Sequence, residues 1–351
     1  GVFVAKACGH TRISCEGYTG APIDVYVIEV GIAMDGDRNG EISFDGASDT
    51  SYVFWVNDDV DVIADGEEDD KESGPADCSD SAITCMRDLE DFARLHIKIG
   101  GDLSGMGGVT YWLKFANVTD GTPMVNVFKA VDETDDYLSD ASSAALQIQE
   151  ACLTPDGVFT VEVPLDNRHV RSGGEISPFL IEGCAPGTGD LTLIVKKDGV
   201  EICKKTVRLE LHDISWFYDI WLTQILSGER WHVQVNTGAM HSQTASYQPK
   251  TDEKLLFVHG WNMPEWEKRR WTETMFKRLW WQGYQGSVAL FDWPSLYDFN
   301  GFWDVVTNPH HFDNSEFISW QSSEALIGVM NALNISGSLR VLSHSMGNVV
   351  T

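Results

Sequence analysis

Three short, mostly apolar runs recur within residues 251–351: Leu255-Leu256-Phe257-Val258, Val288-Ala289-Leu290-Phe291, and Leu339 to Leu342. Runs that are apolar at successive positions suit strands buried on both faces, as in a parallel sheet covered by helices. Between them, Glu265 to Gln282 carries Trp271, Met275 and Leu279 one turn apart and reads as an amphipathic helix. Ser315 to Leu333 reads as a second helix, capped by Asn314 or Ser315. The order strand, helix, strand, helix, strand predicts half of a doubly wound α/β sheet. The third strand runs directly into Ser343-His344-Ser345-Met346-Gly347. A small-x-Ser-x-Gly pentapeptide between strand and helix forces a tight turn that lifts the serine hydroxyl above the sheet.

Residues 1–211 follow another pattern. Asp24 to Val30 alternates apolar and polar, as a half-buried strand does. Tyr52 to Val56, Val109 to Phe115, Val158 to Val163 and Leu191 to Val195 are β-branched and aromatic runs bounded by Gly, Asp and Ser. Lys197-Asp198-Gly199 marks a hairpin turn within Leu191 to Leu211. A short helix is expected over Ala141 to Ala151. The reading is multidomain: a β-rich domain over 1–165, β-sandwich or immunoglobulin-like strands over 166–211 that can belong to it, and a helical connector and linker over 212–250. The α/β half follows over 251–351. His212 to Ser227 has helical spacing, and Thr237 to Lys250 is polar enough for a linker.

Charge narrows the function classes. The 53 acidic against 25 basic residues leave a net −28, which repels nucleic-acid phosphates and attracts cations. No apolar run is long enough to span a bilayer. Seven cysteines include two closely spaced pairs, Cys8 with Cys15 and Cys78 with Cys85, while Cys184 and Cys203 flank the hairpin. Such spacing favours disulfides over zinc and an extracellular, cell-surface or periplasmic setting, with Cys152 left as the odd thiol.

Asp35-Gly36-Asp37-Arg38-Asn39-Gly40-Glu41 repeats the start of an EF-hand-like loop. Oxygen ligands fall at the first, third and fifth positions (Asp35, Asp37, Asn39), a glycine permits the sharp turn, and the Glu41 carbonyl follows. Gly46 stands where that loop has its bidentate glutamate, so Asp45 is the substitute. Calcium is the expected ion, held in a loop flanked by strands. A second site is expected to draw on Asp59 or Asp88, from Asn57-Asp58-Asp59-Val60-Asp61 and Asp88-Leu89-Glu90-Asp91.

The segment 254–350 resembles bacterial α/β-hydrolases of a lipase/esterase-like family of poorly defined function. Three ordered stretches carry the likeness: Phe257-Val258-His259-Gly260-Trp261-Asn262, Phe291-Asp292-Trp293-Pro294-Ser295, and Leu342-Ser343-His344-Ser345-Met346-Gly347-Asn348. The resemblance implies that Ser345 is the nucleophile and that the Met346 N–H is one oxyanion donor. It also implies that the second donor is the N–H of Trp261. Ser343 stands where the pentapeptide usually has glycine. His259 and His344 read as structural, and His310 and His311 as loop residues. The DxDxNG loop, Phe54-Trp55-Val56-Asn57-Asp58 and Arg87-Asp88-Leu89-Glu90-Asp91 together look like N-terminal modules of large secreted bacterial proteins.

In that hydrolase family the triad acid and histidine follow the nucleophile, and Thr351 comes soon after Ser345. The expectation is that a second chain or a further C-terminal segment completes the site. Val349 and Val350 are then expected at an unfinished core, with this chain alone inactive. The leading reading is a secreted or cell-surface serine hydrolase acting on an ester or acyl substrate. The alternative is a calcium-stabilised structural or adhesive envelope protein whose hydrolase-like half is a scaffold.

Overall fold

The computed structural model describes residues 9–13, 21–46, 48–57, 89–101, 103, 106–154, 156–227, 234–295, 310–333 and 338–351. They fall into two compact units that divide between His212 and Asp213. The fold is rich in sheet and has few helices, as the strand-dense first 211 residues imply.

In the first unit, β1 (Gly9–Ile13) and β2 (Ile23–Val27) form an antiparallel pair. Seven more strands make one sheet: β3 (Glu29–Ala33), β4 (Ser51–Trp55), β5 (Phe92–Gly100), β6 (Val109–Lys129), β7 (Val163–Leu165), β8 (Ile176–Lys197) and β9 (Val200–His212). Its path runs β3-β5-β8-β6-β7, with β9 pairing both β8 and β4. The run read as Val109 to Phe115 is only the start of β6. The Asn117 to Pro123 stretch has the composition of a turn, yet it is absorbed as irregularities in the β6–β8 ladder, where an extra residue bends a strand without ending it. Strands over 166–211 therefore belong to the first unit. The Asp198-Gly199 turn is as expected, both residues having positive φ (49° and 81°) between the paired Lys197 and Val200. The short helix α1 (Ala141–Gln147) is capped by Asp140, whose side chain accepts from the Ser142 and Ser143 N–H groups.

The expected Cys184–Cys203 disulfide is absent, and both residues are thiols. Cys203 pairs with Val195 in the ladder. Cys184 lies eleven positions further along β8, roughly 35 Å of strand at about 3.3 Å per residue. Bridged Cα atoms stay within about 7 Å. Cys152, read as the odd thiol, is disulfide-bonded. Cys8, Cys15, Cys78 and Cys85 lie outside the described residues.

The second unit contains β10 (Tyr218–Leu222), β11 (Ile225–Ser227), β12 (Gln234–Val235), β13 (Met240–Gln243), β14 (Lys254–Val258), β15 (Ser287–Asp292) and β16 (Leu339–Ser343). Its helices are α2 (Glu265–Trp281), α3 (His310–Ala332) and the short α4 (Gly347–Val350). Five strands make a sheet in the order β13-β10-β15-β14-β16, parallel except for β13. The predicted helix over 212–227 is overturned. One 3-10 turn (Ile214–Phe217) is followed by β10, which lies parallel to β15. A short aromatic-rich segment fits either period, and an open sheet edge beside β15 selects the strand. The predicted linker over 237–250 is tied down too: it contributes β13, and Trp216 and Gln285 carbonyls accept from the Ser246 and Lys250 N–H groups.

One face of this sheet packs Leu256, Val258, Ala289 and Phe291 against Ile318, Ala325, Leu326 and Val329 of α3. Val350 is 1% exposed inside the same cluster, contrary to the unfinished core expected around it. The α2 face buries Phe217, Phe276 and Trp280 in mutual ring contact. The buried stripe of α2 is thus Thr272-Phe276-Trp280, one residue on from the predicted one. Trp271, Met275 and Leu279 instead line a groove of about 380 Å³ with Phe257, Leu342 and His344. α3 starts at His310, so neither Asn314 nor Ser315 caps it and His310 and His311 are helical. Ser315 donates its hydroxyl to the Ser295 carbonyl at 3.0 Å. Gly328 of α3 is exposed, and a Cβ there has nothing nearer than the Thr237 carbonyl at 3.9 Å. Gly328→Ala is therefore expected to stabilise the unit by about 0.5–1 kcal/mol, seen as a raised urea midpoint.

Candidate active site

Register brings the three motif segments to one end of the sheet. Val258 pairs with Phe291 on one side and with Ser343 on the other, so the chain leaves all three parallel strands at one level. Loops at the carboxyl ends of parallel strands are where such sheets place ligands. His259-Gly260-Trp261 follows β14, Trp293 follows β15, and His344-Ser345-Met346 follows β16.

Ser345 has φ +50°, unusual for a residue with a Cβ, in a turn between β16 and α4. Such strain persists only where surrounding contacts over-determine it. Here the His344 N–H donates to the Val258 carbonyl at 2.9 Å, anchoring the turn to β14. The Ser345 carbonyl accepts from the Asn348 N–H at 3.1 Å and from its Nδ2 at 2.9 Å. The turn also depends on two close approaches that exclude a side chain. A Cβ on Gly347 would lie 2.6 Å from the Val258 and His259 carbonyl oxygens, and one on Gly260 would lie 3.2 Å from Ser345 Cβ. Ser345 is exposed, whereas Met346 is 7% exposed and packs into the sheet core. Among the described residues nothing accepts from the Met346 N–H. Trp261 is half-buried, its ring edge-on to Phe312 at 5.1 Å.

His259 is fully buried between these loops. Its Nδ1 lies 2.7 Å from the Gly260 carbonyl oxygen, and its Nε2 lies 3.0 Å from the Trp293 carbonyl oxygen, 3.1 Å from Trp293 N and 3.2 Å from Asp292 Oδ1. Trp293 Nε1 donates back to the His259 carbonyl at 2.8 Å. Lys268 of α2 reaches the same Asp292 oxygen at 2.6 Å. Burial pushes the imidazole pKa down, so His259 is neutral. It is committed to structure, as read from the sequence. His344 stacks on Trp271 at 5.0 Å. His241, on β13, pairs with Asp219 of β10 and lies four strand spacings from β16, or about 19 Å. None of His241, His259 and His344 is thus placed as general base for Ser345.

The acidic loop lies in the first unit. Asp35 accepts from the N–H groups of Asn39 and Gly40 at 3.0 and 2.9 Å, and Asn39 Oδ1 accepts from the Glu41 N–H at 2.8 Å. Arg38 and Gly40 have positive φ, as the sharp turn requires. Asp35, Asp37 and Asp49 bring one oxygen each to within 4.8 Å of one another. Glu41 and Asp45 are not in that group, and Asn39 spends its oxygen within the loop. Asp49 is the residue the sequence reading missed, because it arrives from a 3-10 turn beyond the loop. Burial raises the Asp35 pKa against the hydrogen bonds and the Arg94 charge that lower it. Arg94 Nη2 stands 3.7 Å from Asp35. Asp59 and Asp88 lie outside the described residues.

Comparison with protein-family models and with curated proteins returns no match for this chain. Among the described residues, no helix is long and apolar enough to cross a membrane.

Proposed function

We propose that the second unit is the first half of an α/β-hydrolase domain, that of an extracellular or cell-surface enzyme catalysing acyl transfer through Ser345. The observation that carries this reading is the left-handed backbone of Ser345, in a turn held against the His259-Gly260 loop. The Met346 and Trp261 N–H groups are its oxyanion donors, and the substrate is an ester or other acyl compound. Fixed donors of this kind each contribute about 2.7–4 kcal/mol to transition-state stabilisation. In this reading the general base and acid lie outside the described residues. Among the described residues β16 ends the sheet, and its Val341 and Leu342 are 39% and 48% exposed. A fluorophosphonate probe is expected to label Ser345 in the full-length protein, with labelling abolished in Ser345→Ala. A wild-type protein that stays unlabelled overturns the reading.

A second reading is favoured by the commitments of His241, His259 and His344, none of which is placed on Ser345. In it the hydrolase-like unit is a scaffold of a structural or adhesive envelope protein, and calcium binding in the first unit is the working feature. Three carboxylates are hard oxygen donors suited to calcium. Asp35, Asp37 and Asp49 would hold the ion, which would relieve their mutual repulsion. Saturating calcium, at about 100 times its Kd, is expected to add roughly 2.7 kcal/mol to the first unit, read as a rise in its melting temperature. Asp37→Asn with Asp49→Asn should remove the rise. A melting temperature unchanged by both calcium and EDTA rules out calcium at this site.

A further inference from the structure

We propose that His259 is a positioning residue, whose ring orients the peptide unit between Gly260 and Trp261 so that the Trp261 N–H faces the Ser345 turn. The proposal rests on the hydrolase reading above and adds a role for a residue that does not touch substrate. The Gly260 carbonyl can only accept, and its 2.7 Å contact places the one proton of the neutral ring on Nδ1. Nε2, which faces the Trp293 carbonyl at 3.0 Å, the Trp293 N–H at 3.1 Å and Asp292 Oδ1 at 3.2 Å, then accepts from the Trp293 N–H. In a trans peptide the C=O and the following N–H point in opposite directions, and no described peptide bond is cis. Holding the Gly260 carbonyl toward the buried ring therefore turns the Trp261 N–H away from it. Gly260 itself is buried and abuts His344 and Ser345.

The ring is in turn held from behind. Trp293 stacks on it with centroids 5.4 Å apart and ring planes within 9°. Its Nε1 takes the His259 carbonyl, and Lys268 occupies Asp292, the carboxylate nearest Nε2. Asn262, next in the loop, has φ +58°, which turns the chain sharply after the donor peptide. A preorganised donor acts at full strength because it needs no reorganisation as charge develops. Without His259 the same peptide is free to rotate.

Two measurements test this. In protein with 15N-labelled histidine, the His259 signals, assigned by their loss in His259→Asn, should report a neutral ring protonated on Nδ1 at pH 7. A proton on Nε2, or an imidazolium, overturns the proposal. The second uses the geometry of amide replacements: the Asn side-chain nitrogen sits where Nδ1 does, and that of Gln sits near Nε2. In fluorophosphonate labelling of the full-length protein, His259→Asn should keep the maximal rate within about threefold. His259→Gln should lose at least about tenfold, part of the cost of removing a donor outright, with half-saturating probe concentration unchanged. Equal losses in both variants mean that His259 only fills space. Wild-type protein that fails to label defeats the hydrolase reading alone, and the tautomer measurement still decides the peptide's orientation.

Discussion

Gly347→Ala is expected to destabilise the second unit by about 3 kcal/mol, the upper part of the range for overpacking a filled site. The added methyl would sit 2.6 Å from two carbonyl oxygens, those of Val258 and His259. These are backbone atoms at the end of a strand paired on both sides, by β15 and β16, so neither can swing away as a side chain would. Relief must come from lifting α4 off β14. That motion pulls Met346 and Val350 out of the core cluster and relaxes the turn that strains Ser345. The melting transition of the unit should fall by about 10 °C, and fluorophosphonate labelling should drop with it. A variant that melts with wild type would mean that the turn at Ser345 is not packed as described. The exposed Gly328→Ala serves as the opposite control.

The same turn illustrates what could be read in advance. The apolar runs at 255–258, 288–291 and 339–342 are parallel strands. The expected burial holds for most of the first two, whereas Val341 and Leu342 of the third are exposed where β16 ends the sheet among the described residues. The small residues around Ser345 signalled close approach, and Gly260 and Gly347 meet that need with carbonyls and side chains a few ångströms away. Failures came where a local signal met a non-local partner. Tyr218 to Leu222 carries a periodicity that either element satisfies, and only the neighbouring β15 decides it. Asn117 to Pro123 has turn composition but lies inside two long paired strands, so the Cys184–Cys203 hairpin was drawn too short. Asp49 joins Asp35 and Asp37 across a loop whose spacing gives no hint of it.

Acidification is expected to cost the first unit about 3 kcal/mol between pH 6.5 and pH 4, through His96. This residue of β5 is 5% exposed, and neither ring nitrogen has a hydrogen bond of good geometry. Burial, and then the neighbouring Arg94 charge, push its pKa down to about 4, against which the Glu133 backbone offers little. The unfolded chain has a histidine of ordinary pKa, about 6.5. In that interval the unfolded state binds the proton and the folded state does not, so stability rises with pH. The contribution is fully present above pH 6.5, declines as pH falls, and is gone near pH 4. A depression of about 2.5 units at 1.36 kcal/mol each gives the stated loss. His96→Leu, which leaves no buried donor behind, should flatten this part of the profile in urea titrations at pH 4, 5, 6 and 7. A variant whose stability falls with acid as steeply as wild type would place the sensitivity elsewhere. Asp35 works in the other direction, since a carboxyl with a raised pKa favours the folded state at low pH. The observed slope should therefore be shallower than the His96 contribution alone, and calcium held in the way proposed above, which needs ionised Asp35, should steepen it.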